Sequence, residues 1–443
     1  MKLEKIITYL FISIIFIISI GCKINYKYSH MLRKKHKLNY KGEMKTNNAK
    51  IIELNNLKPD FSKLFPFDDK DKIDKDNSTL GLLKNKITNY IENVKLRHKG
   101  YEDRIKIYFP FRLQIVTLNR LITGSRKSFA SLDSLVALQD NYYSFTTNRK
   151  QTFENEAQKV VSLSKKLKDN GIKFCSVTYP SKFSKFKPDF PQGIVDYSNY
   201  NVDTYLNVLK SNNINCLDLR ENANQQFKNH LPLFFKSDHH WKPETAFWAT
   251  SEILKYLNSK LDMNFNCFLL NKDNFNFTTY PKMFLGSHGK KVTLALAEPD
   301  DITIFEPNFP TEFETSDLVR QKLKIGSFSD VLLDYKTFYY AINNPYEGDA
   351  YSVYGCDNYI KNLSPKVKYK VLVIHDSFSV PVIPLLAIVS KEVIRIDLRA
   401  SNKFSVEKYI LDLKPDVVIL AYATDRFNWD RDPQHMENMF KFH

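Results

Sequence analysis

Two short stretches of this 443-residue chain hold the residue types of a nucleophile and its base. Ser377 lies in KVLVIHDSFSVP, where an apolar, strand-like run meets the start of an expected helix. A hydroxyl there stands beyond the carboxyl end of a strand, where open α/β sheets bind ligands. The helix amino terminus also offers unpaired N–H groups to a developing oxyanion. The plainer reading is that Asp376 and Ser377 simply cap the helix. The second stretch is Asp238-His239-His240-Trp241 in PLFFKSDHHWKPETAF, between an expected apolar strand and a helix opened by Pro243. A serine nucleophile requires a base for its proton, and that imidazole requires a carboxylate to hold its tautomer. In an extended stretch Asp238 and His240 point to one side, which suits them to be the carboxylate and the base. His239 then faces the other way, as a structural residue or a substrate contact. Asp238, His239 and His240 are also metal-ligand types. Adjacent histidines in an extended chain diverge, however, and no third His or Cys follows at ligand spacing, so no metal is expected.

Chemistry of this kind requires a framework that carries both stretches to one rim. Residues 152 to 170 place Phe153, Ala157, Val160, Val161 and Leu167 on one helical face, with Gly171 as the stop signal. A strand from Ile172 to Thr178 follows; Val202, Tyr205, Leu206 and Leu209 then repeat at helical spacing before the apolar run Ile214 to Leu219. The C-terminal third repeats the scheme: strand Tyr369 to Ile374, helix Pro384 to Val389, strand Val393 to Ile396, helix Val406 to Leu413 and strand Val417 to Leu420. Such alternation predicts an α/β fold with a mainly parallel sheet covered by helices on both faces, a three-layer αβα arrangement. Residues 80 to 150 carry mixed patterns that place no element.

Ahead of this lies Ile6 to Gly21, 16 residues without a charge, read within residues 1–22 as a signal peptide or short signal anchor. Gly21-Cys22 has the form of a lipoprotein cleavage point. Residues 23 to 80 are polar and aperiodic and read as a basic tether, which leaves residues 81–443 as the folded domain. About half of the net charge of +16 is local to the extreme N-terminus and residues 23 to 45, which hold eight Lys or Arg against one Glu. The moderately basic remainder suits work near anionic lipid or polysaccharide and carries no nucleic-acid signature. Only 12 Gly, with no glycine-rich phosphate loop, points to no nucleotide cofactor. The five cysteines, Cys22, Cys175, Cys216, Cys267 and Cys356, contain no CxxC pair, which argues against a zinc or redox motif. Cys175 and Cys216 read as small buried hydrophobes.

Taken together, SDHHW followed by a helix, then a strand ending in HDSF some 140 residues later, resembles the bacterial DHHW protein family. It is also similar to the alginate O-acetyltransferase proteins of the SGNH-like superfamily, whose corresponding motifs are DTHW and GDSF. The likeness spans about residues 130 to 430 and includes YPSK at Tyr179 to Lys182, FLGSHGKK at Phe284 to Lys291, YGCDNYI, RIDLR at Arg395 to Arg399 and PDVVILAYATDRF. By position it implies Ser377 as nucleophile, His240 as base and Asp238 as orienting carboxylate. Lys182 and Arg426 become basic residues that approach an anionic sugar or a sheet-end carboxylate, with a surface position or structural pairing as the alternative. The resemblance further implies an SGNH-hydrolase-like fold and transfer of acetyl groups to, or removal from, cell-surface polysaccharide outside the cytoplasm. It also implies attachment to the membrane through the N-terminal segment and a membrane-bound O-acyltransferase that supplies acetyl. His375 stands where the alginate proteins have Gly, and a side chain there either crowds the oxyanion region or adds a donor. That departure motivates the alternative of an inactive polysaccharide-binding or scaffold protein.

Overall fold

The computed structural model describes residues 135–443 apart from 187–192, 293, 295, 319, 320, 365 and 400–404. The expected signal segment, the tether and Cys22 lie outside the described residues. After a small antiparallel pair, β1 (Leu135–Ala137) with β2 (Tyr143–Phe145), the regular alternation begins at α1 (Glu154–Asp169). It continues through β3 (Lys173–Tyr179), α2 (Ser198–Ser211), β4 (Cys216–Asp218), α3 (Leu219–Gln226) and α4 (Pro243–Lys260). A second antiparallel pair follows, β5 (Phe275–Phe284) with β6 (Asp300–Pro307), separated by α5 (Ser287–Val292). The remaining strands are β7 (Phe313–Ser316), β8 (Lys324–Gly326), β9 (Tyr359–Asn362), β10 (Lys370–His375), β11 (Glu392–Ile396) and β12 (Val417–Ala423). Among them run α6 (Phe328–Val331), α7 (Tyr335–Asn343), α8 (Val382–Val389) and α9 (Val406–Leu413), and α10 (Pro433–Met439) ends the chain.

One eight-stranded sheet organises these elements in the order β4-β3-β12-β10-β11-β9-β7-β8. The five strands from β4 to β11 are parallel, and β9, β7 and β8 complete the sheet antiparallel. Sheet and helices thus form the expected α/β fold, with a mixed edge that the apolar runs did not announce. Side chains alternate across the sheet. Cys175, Val177, Val371, Val373, Val417 and Ile419 join the core that includes α4 and α8, whereas Phe174, Leu372, Ile374, Val418 and Leu420 join the core that includes α1, α2 and α9. Burial on both faces is why these strands read as unbroken Val, Ile and Leu. The helix faces agree, since Val202, Tyr205, Leu206 and Leu209 are all buried in the second core. The β5–β6 pair is a satellite rather than part of the main sheet, and its Phe275, Phe277 and Phe305 pack around Phe247 of α4.

Two expectations are corrected. The apolar run before Asp238 is not a strand: Leu231–Leu233 is a 3-10 turn containing Pro232, and Phe234 and Phe235 are buried within a loop. A short apolar run satisfies a buried loop as well as a strand, and periodicity alone does not separate them. Likewise the segment after Ser377 begins as the 3-10 turn Ser377–Ser379 and becomes α-helical only at Val382. Cys175, Cys216, Cys267 and Cys356 are free thiols. No helix among the described residues is long and apolar enough to cross a membrane.

Candidate active site

β10 runs through the middle of the parallel sheet, and Asp376 and Ser377 follow immediately at its carboxyl end. Asp376 is a cap, as the plainer reading held: its Oδ1 accepts from Phe378 N at 2.9 Å and its Oδ2 from Ala423 N at 2.7 Å, which ties the turn to the end of β12. Burial pushes the Asp376 carboxyl up, against the opposing pull of Arg426 and Arg399. The cap leaves Ser377 partly exposed at the rim while Phe378 is wholly buried beneath it.

The Asp238 stretch reaches the same rim as the tip of a tight loop. Lys242 N donates to Leu233 O at 2.9 Å and Phe235 N to His240 O at 3.2 Å, with a single β-bridge between Phe234 and Trp241. At the tip Asp238 Oδ1 accepts from His240 N at 2.9 Å, an Asx-type turn that competes with extended pairing. This turn, rather than strand alternation, sets the side-chain directions. The same Oδ1 lies 2.6 Å from His240 Nδ1, and His240 Nε2 lies 2.8 Å from Ser377 Oγ. Burial alone would raise the Asp238 carboxyl, but His239, His240 and the His240 hydrogen bond hold it well below the ordinary range. An ionised carboxylate only accepts, so Nδ1 carries the imidazole proton and Nε2 is left to accept from the Ser377 hydroxyl.

Packing holds this line of groups. The His240 ring stacks on Tyr351 at 4.3 Å and an interplanar angle of 13°, and lies 5.2 Å from the Phe378 ring. Each such aromatic pair is worth about 0.5–1.5 kcal/mol beyond its buried area. Trp241 is fully buried and donates Nε1–H to Phe378 O at 3.0 Å, joining the two stretches directly. Truncating a side chain of that size to Ala typically removes about 3–5 kcal/mol of stability.

His239 departs from its expected position. Its ring lies 3.8 Å from the His240 ring rather than facing away. Arg426 Nη2 donates to His239 Nε2 at 3.1 Å, and Nδ1 lies 3.0 Å from Ser287 Oγ. Burial and the neighbouring His240 push the His239 pKa well down, so this imidazole is neutral. Arg426 Nη2 also donates to Ser377 Oγ at 3.1 Å, and its Nε is 3.8 Å from Asp376 Oδ2. The guanidinium therefore touches the hydroxyl itself. Ligand atoms of Asp238, His239 and His240 lie within 4.8 Å of one another. As a cation site they fit poorly: His240 spends both ring nitrogens on Asp238 and Ser377, and His239 spends its own on Ser287 and the Arg426 guanidinium.

Lys182 takes a different place from the one expected of a sugar contact. It is buried, and its ammonium donates to the carbonyls of Tyr143 and Lys236, the latter at 3.1 Å, so it supports the Asp238 loop from beneath. Burial pulls its pKa down to about 7, against the attraction of Asp238, Asp300 and Asp425. His375 does not crowd the rim. It is buried, its Nδ1 donates to Asp376 O at 2.7 Å, and no hydrogen bond connects it to Ser377.

Other supports carried no role in the sequence. Asp300, at the start of β6, accepts from Lys236 N at 2.8 Å, Ser237 N at 2.7 Å and Ser237 Oγ at 2.6 Å. Ser287 N donates to Asp238 Oδ2 at 2.6 Å, the second oxygen of the orienting carboxylate. The approach is close enough that a Cβ on Gly286 would fall 2.1 Å from Asp238 Cβ, which explains why this position is glycine. FLGSHGKK was the visible trace of this clamp; its partner was not visible.

With this geometry in view, the comparisons bear on kinship. Residues 139–276 match the SGNH hydrolase-like domain of the acetyltransferase AlgX. Over these residues the chain is thus similar to an alginate O-acetyltransferase protein, as its motifs had suggested. PatB1 of Bacillus cereus has the same fold, at a TM-score of 0.54 and 21% identity over 70% of this chain and 99% of that one. The structure of that protein with a sulfonyl adduct aligns at a TM-score of 0.55 and 20% identity, over 70% of this chain and 98% of that one. A DHHW family protein from Eubacterium siraeum aligns at 0.49 and 15% identity, over 69% and 96%. No curated protein matches the sequence.

Proposed function

We propose that this chain is a serine-dependent O-acetyltransferase or acetylesterase acting on cell-surface polysaccharide outside the cytoplasm, attached to the membrane through residues 6–21 and supplied with acetyl by a membrane-bound O-acyltransferase. The observation that carries the reading is the unbroken line Asp238 Oδ1, His240, Ser377 Oγ, with steps of 2.6 and 2.8 Å. Kinship with SGNH-like acetyltransferases supports the acyl group as cargo.

In the proposed reaction Ser377 Oγ attacks the acetyl carbonyl of the donor as its proton passes to His240 Nε2, and Asp238 stabilises the resulting imidazolium. Collapse of the tetrahedral adduct breaks the bond to the donor's leaving group, which takes the proton back from His240. Acetyl-Ser377 remains. A sugar hydroxyl, or water in the esterase case, gives its proton to His240 and attacks the acetyl carbon, which restores the Ser377 hydroxyl. Arg426, 3.1 Å from Ser377 Oγ, places positive charge beside the nucleophile and so next to the tetrahedral adduct; a donor that reaches the oxyanion of such an adduct is worth about 10²–10³ in kcat generally. Lys182 and Asp300 position the loop, and His239 holds Arg426 without competing as a base. The steric case for an inactive scaffold loses its footing, because the His375 ring is tied to the backbone away from Ser377.

The experiment is hydrolysis of a chromogenic acetate ester by the full chain. Release of acetate that disappears in Ser377→Ala at unchanged melting temperature supports the reading; equal turnover in the variant refutes the nucleophile. A sulfonyl fluoride provides an independent check, since it should modify Ser377 once and abolish turnover.

A further inference from the structure

Two adjoining clefts, of about 860 and 490 Å³, open at the end of the sheet opposite Ser377 and share Asn362, Ser364, Val367 and Lys368 as walls. They border the segment that leads into β10. With about 3.3 Å of rise per strand residue, the six residues of β10 set them roughly 20 Å from the nucleophile. Phe309 and Tyr369, both half-buried, contribute aromatic surface to the larger cleft, and the buried Phe265 backs Tyr369 with ring centroids 4.6 Å apart. Lys366, Lys368 and Lys391 rim the clefts; all three are exposed, and none forms an ion pair among the described residues. Lys361 also lines the smaller cleft, 4.0 Å from Glu314, and Glu312 is the one carboxylate among the lining residues of either.

We propose that these clefts are a second binding site, separate from Ser377, for an acidic polysaccharide. A row of exposed ammonium groups attracts the carboxylates of such a polymer, and aromatic walls offer surface to the apolar faces of its rings. Charge complementarity selects this occupant over the chain's own N-terminal segment, whose residues 23 to 45 carry eight Lys or Arg against one Glu and would be repelled. The concave, aromatic-walled shape suits a strand of polymer better than a flat lipid surface. Held here, a polymer presents its further hydroxyls near Ser377 at raised effective concentration, as a second linked contact does in any multivalent system. The identity of the polymer as the acyl acceptor rests on the proposed function; the binding itself does not.

The test separates the two. Full-length Ser377→Ala protein, in which turnover cannot intervene, is titrated calorimetrically with polygalacturonate, neutral dextran, single-stranded DNA and anionic phospholipid vesicles at physiological ionic strength. The expected result is binding of polygalacturonate and not of dextran. Replacement of the three lysines (Lys366→Ala with Lys368→Ala and Lys391→Ala) should weaken that binding about tenfold, as the loss of three surface charge contacts allows, and flatten its salt dependence. Phe309→Ala should weaken it without altering the salt dependence, an independent reading that does not rely on the lysines. With Ser377 intact, the triple-lysine variant should hydrolyse a small acetate ester at the wild-type rate. No binding of polygalacturonate, unchanged binding in the triple variant, or equal affinity for DNA or vesicles overturns the proposal. So does a joint loss of small-ester turnover, which would show that the clefts are not a separate site. If wild-type protein hydrolyses no ester while polygalacturonate still binds through the lysines, the catalytic reading fails and the binding site stands.

Discussion

Replacing Asp238 with Asn keeps the shape of the side chain but removes its charge and turns one of its two acceptor positions into a donor. The carboxylate accepts at both oxygens: Oδ1 from His240 N and from His240 Nδ1–H, Oδ2 from Ser287 N. An amide has one acceptor oxygen and one donor NH₂. If the NH₂ takes the Oδ2 position, it meets the Ser287 N–H at 2.6 Å, donor against donor in a buried site. If it takes the Oδ1 position, it meets the His240 N–H and forces Nδ1 to become the acceptor. The imidazole proton then moves to Nε2, facing the Ser377 hydroxyl that it should deprotonate. The first orientation keeps the tautomer but opposes two donors in a buried site; the second disables the base. A wrong tautomer in the equivalent arrangement of serine proteases lowers kcat about 10⁴-fold, which is about 5 kcal/mol of barrier. The assay is steady-state hydrolysis of a chromogenic acetate ester at neutral pH, with melting temperature measured alongside. A rate within about tenfold of wild type, with the fold intact, would mean that His240 does not depend on Asp238 for its tautomer, and the reasoning would fail.

Gly286→Ala should act through the same carboxylate, because its Cβ would fall 2.1 Å from Asp238 Cβ; overpacking of this kind costs about 1–3 kcal/mol or more, and kcat should drop while KM holds. Arg426→Lys keeps the charge but not the forked reach to both Ser377 and His239, so kcat should fall about 10²-fold with little change in melting temperature. Acid should destabilise the protein, since burial holds His239 and His288 well below their ordinary pKa and His375 at about 3. The unfolded chain takes these protons below about pH 6.5 and the folded chain does not. Stability is therefore full above that pH and falls on acidification, by about 1.4 kcal/mol per pH unit for each histidine. Asp238, held low in the fold, adds to the loss only further down, below the ordinary carboxylate range. Denaturant midpoints measured across this range check the sign; a midpoint that rises on acidification contradicts it.

The parallel core was legible because it is local. Val371 to Ile374 and Val417 to Leu420 advertise burial on both faces, and α1, α2 and α9 repeat apolar residues at the right spacing. Ser377 stood out because a hydroxyl at the end of such a strand has a restricted set of uses. Asp238 and His240 were found through an extended geometry that the chain does not adopt. An Asx turn happens to bring the two side chains together as well, but it also swings His239 alongside His240, which alternation did not foresee. The clamps were illegible for a different reason. Asp300 with Ser237, and Ser287 with Asp238, join residues 63 and 49 positions apart through one or two hydrogen bonds that leave no periodic trace. Lys182 was legible as a residue of interest and not as a buried one, because a lysine that donates to two carbonyls looks the same in sequence as one that reaches for solvent.

The most direct measurement is rapid-quench mass spectrometry of the full chain mixed with an activated acetyl ester. The account predicts a single acetyl group on the peptide containing Ser377, forming before product and absent in Ser377→Ala. Acetate released with no acyl-enzyme, or an acetyl group of equal yield on another residue in the Ser377→Ala protein, would contradict it.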